Sequence, residues 1–164
     1  MKKAILAFGK LTRLAGAAVM IAFVSFSVTS CSTEGCTDST ATNYDEKADE
    51  DDGSCTYERD AVIGKYNNST DNCIAGTSFN MEITAGAGAT NQISISNFGG
   101  FGNSISVTGI VNGSTITLQS GSLGSGISLL NGSGAISGSL LTLNYTYNED
   151  GTEFTCTITG TRTE

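Results

Sequence analysis

Five cysteines are the residues of this chain whose type and spacing most directly indicate a chemistry. The first of them, Cys31, follows a basic N-terminal segment, an uncharged apolar run that ends at Val28, and two further small residues. The apolar run is about 15 residues long, whereas a helix needs ~20 to cross a bilayer core, so a cleaved export signal is favoured over a permanent transmembrane helix. We therefore predict a lipoprotein signal peptide over residues 1–30 and acylation of Cys31.

The other cysteines form an even set, which in an exported chain is typical of disulfide bonds. They are Cys36, Cys55, Cys73 and Cys156. Three pairings are formally possible. We favour Cys36–Cys55, which brackets a compact acidic segment, together with Cys73–Cys156, which ties the two ends of one domain. A zinc site is the competing use of four cysteines, and it is disfavoured because the chain has no Cys-x-x-Cys spacing and no histidine.

The lack of histidine also excludes Ser-His-Asp and Cys-His catalysis and imidazole metal ligands. Carboxylates remain as possible acids, and Glu82 is the only acidic residue in the middle of a predicted strand. Glycoside hydrolysis needs two carboxylates across a cleft, and alternation places Glu82 on a polar face without a partner. The acidic group Glu149, Asp150 and Glu153 is predicted to be a solvated hairpin tip. We therefore predict that the chain is not an enzyme, and a carboxylate-based hydrolase is the least favoured alternative.

Charge narrows the choice of partner. The formal net charge is −8, and loss of the signal peptide removes four of the eight basic residues and none of the sixteen acidic ones, which leaves −12. A surface of this sign repels phosphate backbones, so nucleic-acid binding and attraction to anionic lipid headgroups are disfavoured. We expect the membrane link to come from acyl chains on Cys31.

Residues 31–60 are polar and acidic and show no apolar periodicity, so we predict a disordered acidic spacer that a disulfide closes. Four of its acidic side chains could supply the oxygen ligands that calcium prefers. They are Asp38, Asp49, Asp51 and Asp52. The spacing does not fit an EF-hand loop, because with Gly53 at the glycine position the first ligand position falls on Ala48. A solvated acidic loop is therefore favoured over the calcium site.

Three short patterns stand out in this segment: Cys-Thr-Asp from Cys36, Ala-Thr-Asn-Tyr ending at Tyr44, and Asp-Asp-Gly-Ser-Cys ending at Cys55. Together they resemble a short cysteine-bounded module that recurs in surface and secreted proteins of Gram-negative bacteria. The resemblance implies an extracytoplasmic spacer or stapled loop and no activity. With the export signal, it predicts a lipid-anchored protein of the cell envelope, on the outer membrane of a Gram-negative bacterium.

From residue 61 onward, short runs alternate apolar and polar side chains, as in Phe79, Met81 and Ile83, which predicts antiparallel strands with one buried face. Three dipeptides of the kind that forms hairpin turns separate such runs. They are Asn112-Gly113, Asn131-Gly132 and Asp150-Gly151.

We count about eight strands, the first over residues 61–68, and predict an all-β fold. The expected architecture is an antiparallel up-and-down meander that closes into a small barrel or barrel-like sandwich over residues 61–164. Closure would place the first strand beside the last, where a Cys73–Cys156 bond would link them.

Gly64 and Tyr66 open this domain, and here the chain resembles the start of a lipocalin-like barrel, in which a Gly-x-aromatic pair begins the first strand. In that family an arginine near the last strand packs over the aromatic residue, a role that the resemblance assigns to Arg162. It also implies a carrier of a small hydrophobic ligand. The domain also resembles the glycine- and threonine-rich C-terminal domains of uncharacterised bacterial lipoproteins.

Interior volume would distinguish a carrier from a filled barrel. Phe98 and Phe101 would offer aromatic faces to a ligand at a barrel mouth, although Phe98 in the core is the alternative. Other large side chains are expected to fill a narrow barrel, namely Phe79, Met81, Tyr145, Tyr147 and Phe154. The glycine-rich stretches lack phosphate-binding fingerprints and are predicted to be hairpin loops. Our leading interpretation is a binding or structural module, with a protein or a small hydrophobic ligand as its partner.

Overall fold

The computed structural model describes residues 32–74 and 77–163, so Cys31 and the signal-peptide prediction over residues 1–30 lie outside the described residues. Eleven strands and two short 3-10 helices, Glu58–Ala61 and Phe98–Gly100, make up the secondary structure of the described part. The strands are β1 (Glu34–Gly35), β2 (Glu50–Asp51), β3 (Gly64–Asp71), β4 (Ser78–Ala85), β5 (Gln92–Ser96), β6 (Ser106–Asn112), β7 (Thr115–Leu118), β8 (Gly121–Gly124), β9 (Ile127–Ser137), β10 (Leu140–Glu149) and β11 (Thr152–Thr163).

The predicted all-β fold and the closed antiparallel meander are confirmed. Around the barrel the strand order is β3, β4, β5, β6, β7, β9, β10 and β11, and β11 pairs with β3 to close the sheet. The additional strand β8 pairs with the first residues of β9. The first and last strands of the domain are therefore neighbours, as the sequence predicts. In the part of the chain that the structure describes, no helix is long and apolar enough to span a bilayer.

The three predicted hairpin turns have different outcomes. Asp150 and Gly151 form the two-residue β10–β11 turn, and both have positive φ, +51° and +85°. Asn112 pairs with Thr115, so the β6–β7 turn is made by the next two residues and starts one position later than predicted. The β3 strand likewise begins three residues after the predicted start at residue 61.

The third turn, at Asn131-Gly132, is wrong, because both residues lie inside β9. A Cβ on Gly132 would lie 2.6 Å from the Cδ1 atom of Leu118 and 3.0 Å from the carbonyl oxygen of Asn144. The glycine therefore allows three neighbouring strands to pack closely, and it does not reverse the chain.

Side chains alternate between the two faces of each strand, and those that face inward fill the barrel interior. Tyr66, Phe98 and Tyr145 are the bulkiest of the fully buried ones, with 0 to 1% of their surface exposed. The burial of each such side chain stabilises the fold by about 1.5–3 kcal/mol. Phe154, expected in the interior, is 38% exposed because it stands near the start of β11, where the strand reaches the end of the barrel.

Both favoured disulfide bonds are present, Cys36–Cys55 and Cys73–Cys156. The second joins the turn after β3 to the middle of β11 across a sequence separation of 83 residues, with the two Cα atoms 5.5 Å apart. In the chain-entropy model a loop of this length stabilises the fold by about 4.5 kcal/mol. The bond therefore holds together the two strands at which the sheet closes.

Residues 32–60, which we call the acidic module, take up defined turns instead of the expected disordered spacer. Cys36 is 1% exposed, and β1 and β2 pair in parallel. The side chain of Asn43 donates to the Ser54 carbonyl oxygen at 2.7 Å and accepts from the Thr56 N–H at 2.7 Å. Side chain-to-backbone hydrogen bonds of this kind, together with the disulfide, order a segment that has no apolar core of its own.

The acidic module continues into the 3-10 helix Glu58–Ala61, which lies at one end of the barrel, here called the base. Arg59 Nη1 donates to the Ala89 carbonyl oxygen in the β4–β5 turn at 3.3 Å. The Gly113 N–H in the β6–β7 turn donates to Glu58 Oε2 at 3.0 Å. Arg162 Nη1 also donates to the Ala61 carbonyl oxygen. The opposite end, the mouth, carries the turns that follow β3, β5 and β10.

Candidate functional site: the aromatic mouth

The turn after β5 folds Phe98 into the mouth and closes it. The turn needs left-handed backbone at Asn97, Gly99 and Gly100, with φ of +50°, +58° and +74°. A Cβ on Gly99 would lie 2.9 Å from the Phe101 ring and 3.1 Å from the Tyr145 hydroxyl, so glycine is required for space as well as for φ. The result is a fully buried Phe98, which was the alternative placement considered from the sequence.

Three stacked rings lead from the interior of the barrel to solvent, and we call them the aromatic ladder. Tyr145 and Tyr147 alternate along β10 with ring centroids 6.0 Å apart, and Phe154 stacks on Tyr147 at 5.1 Å with an interplanar angle of 21°. Their exposed fractions rise in that order, from 1% through 9% to 38%. Phe98 packs edge-on against Tyr145, and Phe101 packs edge-on against Tyr147. The outermost ring is therefore held in place by the rings beneath it.

A buried polar pair fixes the inner end of the ladder. The hydroxyl of Tyr145 donates to Asp71 Oδ2 at 2.5 Å, and the N–H of Cys73 donates to the other carboxyl oxygen at 2.8 Å. Asp71 itself is only 4% exposed. Burial, and then the hydrogen bond to Asp71, raises the pKa of Tyr145 far above its ordinary value. The phenol therefore stays protonated and holds its hydrogen bond across the physiological pH range.

Sequence reasoning missed Asp71 because a bulge changes the alternation of β3. The register of β3 with β4 shifts between Tyr66 and Ser69, and Asn68 there has a φ of +54°. Both Ser69 and Asp71 consequently turn inward. The one available signal is the Asn67-Asn68 pair, since asparagine tolerates left-handed backbone better than most residues.

Among the described residues, those around Phe154 carry acidic charge without a basic residue. Glu149 lies two positions after Tyr147 in β10 and projects from the same face of the strand, whereas Glu153, which pairs with Asn148, projects from the outer face. Glu149 is close enough to raise the pKa of Tyr147, although burial is the larger cause. The basic residues of the barrel lie away from Phe154: Arg162 is near the far end of β11, and Lys65, which pairs with Thr163 there, lines a groove on the outer wall that reaches Asn97.

The four aspartates considered for calcium are not gathered into a cluster by the structure. Among the described residues, the one group of three possible ligands within 4.8 Å is Asp71, Cys73 and Cys156, and both of its sulfur atoms are in a disulfide bond. Asp38, Asp51 and Asp52 each accept a hydrogen bond from a backbone N–H two residues later. Calcium binding by the acidic module, with Asp49 as the fourth ligand, stays a prediction.

Glu82 lies exposed on the outer wall of the barrel. Its cross-strand neighbours are Lys65 on β3 and Ser96 on β5. Neither neighbour is a second carboxylate of the kind that acid-catalysed hydrolysis requires. The structure therefore supplies no partner for Glu82 in its strand register.

The cavities that we find in the described part of the chain open to solvent. They have volumes of about 120 to 440 Å³. One lies where Thr40 and Tyr57 of the acidic module meet Asn91 at the base. Another is a hydroxyl-lined groove on the outer wall, between Asn67 and Thr159.

Comparison with protein-family models, with curated proteins and with solved structures gives no significant match. Inferences about function therefore come from this chain's own geometry. Its most distinctive chemistry is the acidic, aromatic mouth.

Proposed function

We propose that this is a lipid-anchored protein of the bacterial cell envelope, held on the outer membrane through acyl chains on Cys31. In this proposal the barrel is a binding module and not an enzyme. Its mouth is the binding surface. The acidic module, which begins one residue after Cys31, connects the anchor to the base.

The observation that carries the proposal is the position of Phe154, a partly exposed ring at the end of the barrel opposite the acidic module. A chain anchored just before Ser32 would hold its base toward the bilayer and its mouth toward the aqueous phase. The paired cysteines support an oxidising compartment, in which disulfide bonds persist.

A carrier of a small hydrophobic ligand is the second candidate, and the neighbourhood of Arg162 and Tyr66 supports it. Arg162 pairs with Tyr66 in the strand register, and its Cδ atom lies 2.8 Å from where a Cβ on Gly64 would be. The buried Phe98 opposes this candidate, since it occupies the space through which a ligand would enter. Displacement of that ring would be a condition of carriage.

Anchoring is tested by expressing the full chain in a Gram-negative host together with a Cys31→Ser variant. We expect the unaltered chain to fractionate with membranes and to yield an N-terminal peptide whose mass includes acyl chains. The variant should lose the acyl mass. Cys36→Ser is the matched control, because it removes a cysteine five residues away without removing the acylation site.

Recovery of the unaltered chain without acyl mass on Cys31 would overturn the anchor. Release of an apolar small molecule on denaturation, from protein purified without added ligand, would favour the carrier over the filled binding module. Native mass spectrometry before and after denaturation makes that measurement.

A further inference from the structure

We propose that the mouth binds a basic polypeptide segment, with an arginine or lysine side chain placed over the exposed face of Phe154 and within reach of the surrounding carboxylates. The inference deepens the proposed function by naming its partner, and it rests on the proposal that the mouth is the binding surface. It commits to a polypeptide partner, and small organic cations are an outcome of the test.

The first step is the shape of the outermost ring. Phe154 is 38% exposed and lies nearly parallel to Tyr147 beneath it. The face of an aromatic ring carries negative electrostatic potential, which attracts guanidinium and ammonium groups placed over it. Since Tyr147 and Phe101 already hold the ring assembly, little conformational entropy would be lost when a ligand binds.

The second step is the charge around the ring. Glu149 follows Tyr147 by two positions in β10 and so projects from the same face of that strand, and Asp150 lies at the turn into β11. Arg162 and the partner of Lys65 in the register, Thr163, are at the far end of β11 from Phe154, so neither basic side chain of the barrel competes for these carboxylates. The mouth thus offers an aromatic face and negative charge together, which is complementary to an amine or guanidinium group and repels nucleic acids and anionic lipids.

The third step is the shallowness of the mouth. Phe98 closes it with none of its own surface exposed, so a small ligand could not be enclosed there without moving that ring. One exposed ring face fits a side chain presented by a larger partner better than a free cation that needs an aromatic cage on several sides. A polypeptide also brings several basic residues to the carboxylates of Glu149 and Asp150 at once.

The test is a calorimetric titration of the acylated protein, purified in a non-ionic detergent, with a hexa-arginine peptide at low and at physiological ionic strength. Phe154→Leu keeps an apolar side chain and removes the ring face, and we expect affinity to fall about two- to fivefold. Glu149→Gln should lower affinity by a similar factor and reduce its salt dependence. Hexa-glutamate should not bind.

Two matched controls locate the effect. Glu82→Gln makes the same charge change on the outer wall, and Tyr44→Leu removes an aromatic residue that is 45% exposed in the acidic module. Both should bind the peptide within twofold of the unaltered protein. Equal losses for Glu149→Gln and Glu82→Gln would overturn the proposal, because they would indicate general charge attraction.

Titration with tetramethylammonium distinguishes a basic polypeptide from a small organic cation as the ligand. Binding of this ion with the affinity of the peptide would overturn the polypeptide assignment, and the absence of peptide binding would overturn the inference altogether. The titration uses purified protein, so it can also be made on protein that is recovered without acyl chains. Peptide binding by that protein would mean that the anchor is wrong and the partner is right, and loss of binding by acylated protein would mean the reverse.

Discussion

The Tyr145 hydroxyl and the Asp71 carboxyl group form a hydrogen bond inside the barrel, and this bond joins the inner end of the aromatic ladder to the strand that closes the sheet. Asp71 pairs in register with Ile158 of β11, two residues beyond Cys156. This hydrogen bond therefore makes the geometry of the aromatic ladder depend on the pairing of β3 with β11, which closes the barrel.

Tyr145→Phe should destabilise the protein by about 1–3 kcal/mol, because it leaves a buried carboxyl oxygen without its donor. The free energy of unfolding from urea titration measures the change. Tyr57→Phe is the matched control, since Tyr57 also donates to an aspartate, Asp38, but in the largely exposed acidic module. We expect that variant to lose less than about 1 kcal/mol, and equal losses would contradict a special role for the buried pair.

Phe98→Ala should destabilise the protein by about 3–5 kcal/mol, because it removes a fully buried ring and leaves a cavity at the mouth. Phe154→Ala provides the comparison, and we expect a loss of about 1 kcal/mol since that ring is partly exposed and contributes mainly stacking. Differential scanning calorimetry of the two variants tests the difference. Similar losses would mean that Phe98 does not close the barrel.

Loss of the two disulfide bonds should have unequal effects on the barrel. Changing Cys73 and Cys156 together to alanine should cost about 4.5 kcal/mol in the chain-entropy model, whereas the corresponding change of Cys36 and Cys55 removes a shorter loop worth about 3 kcal/mol. The second change should loosen the acidic module and leave the barrel strands protected in amide hydrogen exchange. Loss of barrel protection in both variants would contradict this independence.

Alkaline pH should weaken the fold through Tyr145. Its folded-state pKa is raised, chiefly by burial, so the folded chain keeps a proton that the unfolded chain releases above a pH of about 10. The stabilisation is complete below that pH and falls as the pH rises further. Urea titrations at pH 9 and pH 11 should show a decline that is smaller for Tyr145→Phe, and identical declines would disprove the assignment.

The barrel could be predicted from sequence because its alternation is strong and because Asp150-Gly151 sets a hairpin through local backbone preference. Asn131-Gly132 has the same local preference, yet it lies within a strand, since close packing of β7, β9 and β10 decides the role of Gly132. Local sequence reports backbone tolerance and does not report which neighbouring strand will approach. The two uses of glycine are therefore indistinguishable until the sheet is assembled.

The site was harder to predict for a related reason. The disulfide pairing followed from the position of the cysteines, and Phe98 and Phe101 were expected near a mouth. Asp71 was not found, because the bulge at Asn68 shifts the inward positions of β3. The order of the acidic module was missed too, since it comes from local hydrogen bonds such as those of Asn43, which leave no hydrophobic pattern.

Closure of the sheet has a consequence for copies of this chain at high local concentration. Every strand of the closed wall is paired on both sides, so the wall has no edge strand beside which a neighbouring copy could add a strand along its full length. The extra strand β8 pairs only with β9, and it is short, with glycine at both ends. Pairing of sheet edges between neighbouring copies is therefore disfavoured, and contacts between copies would be made by side chains.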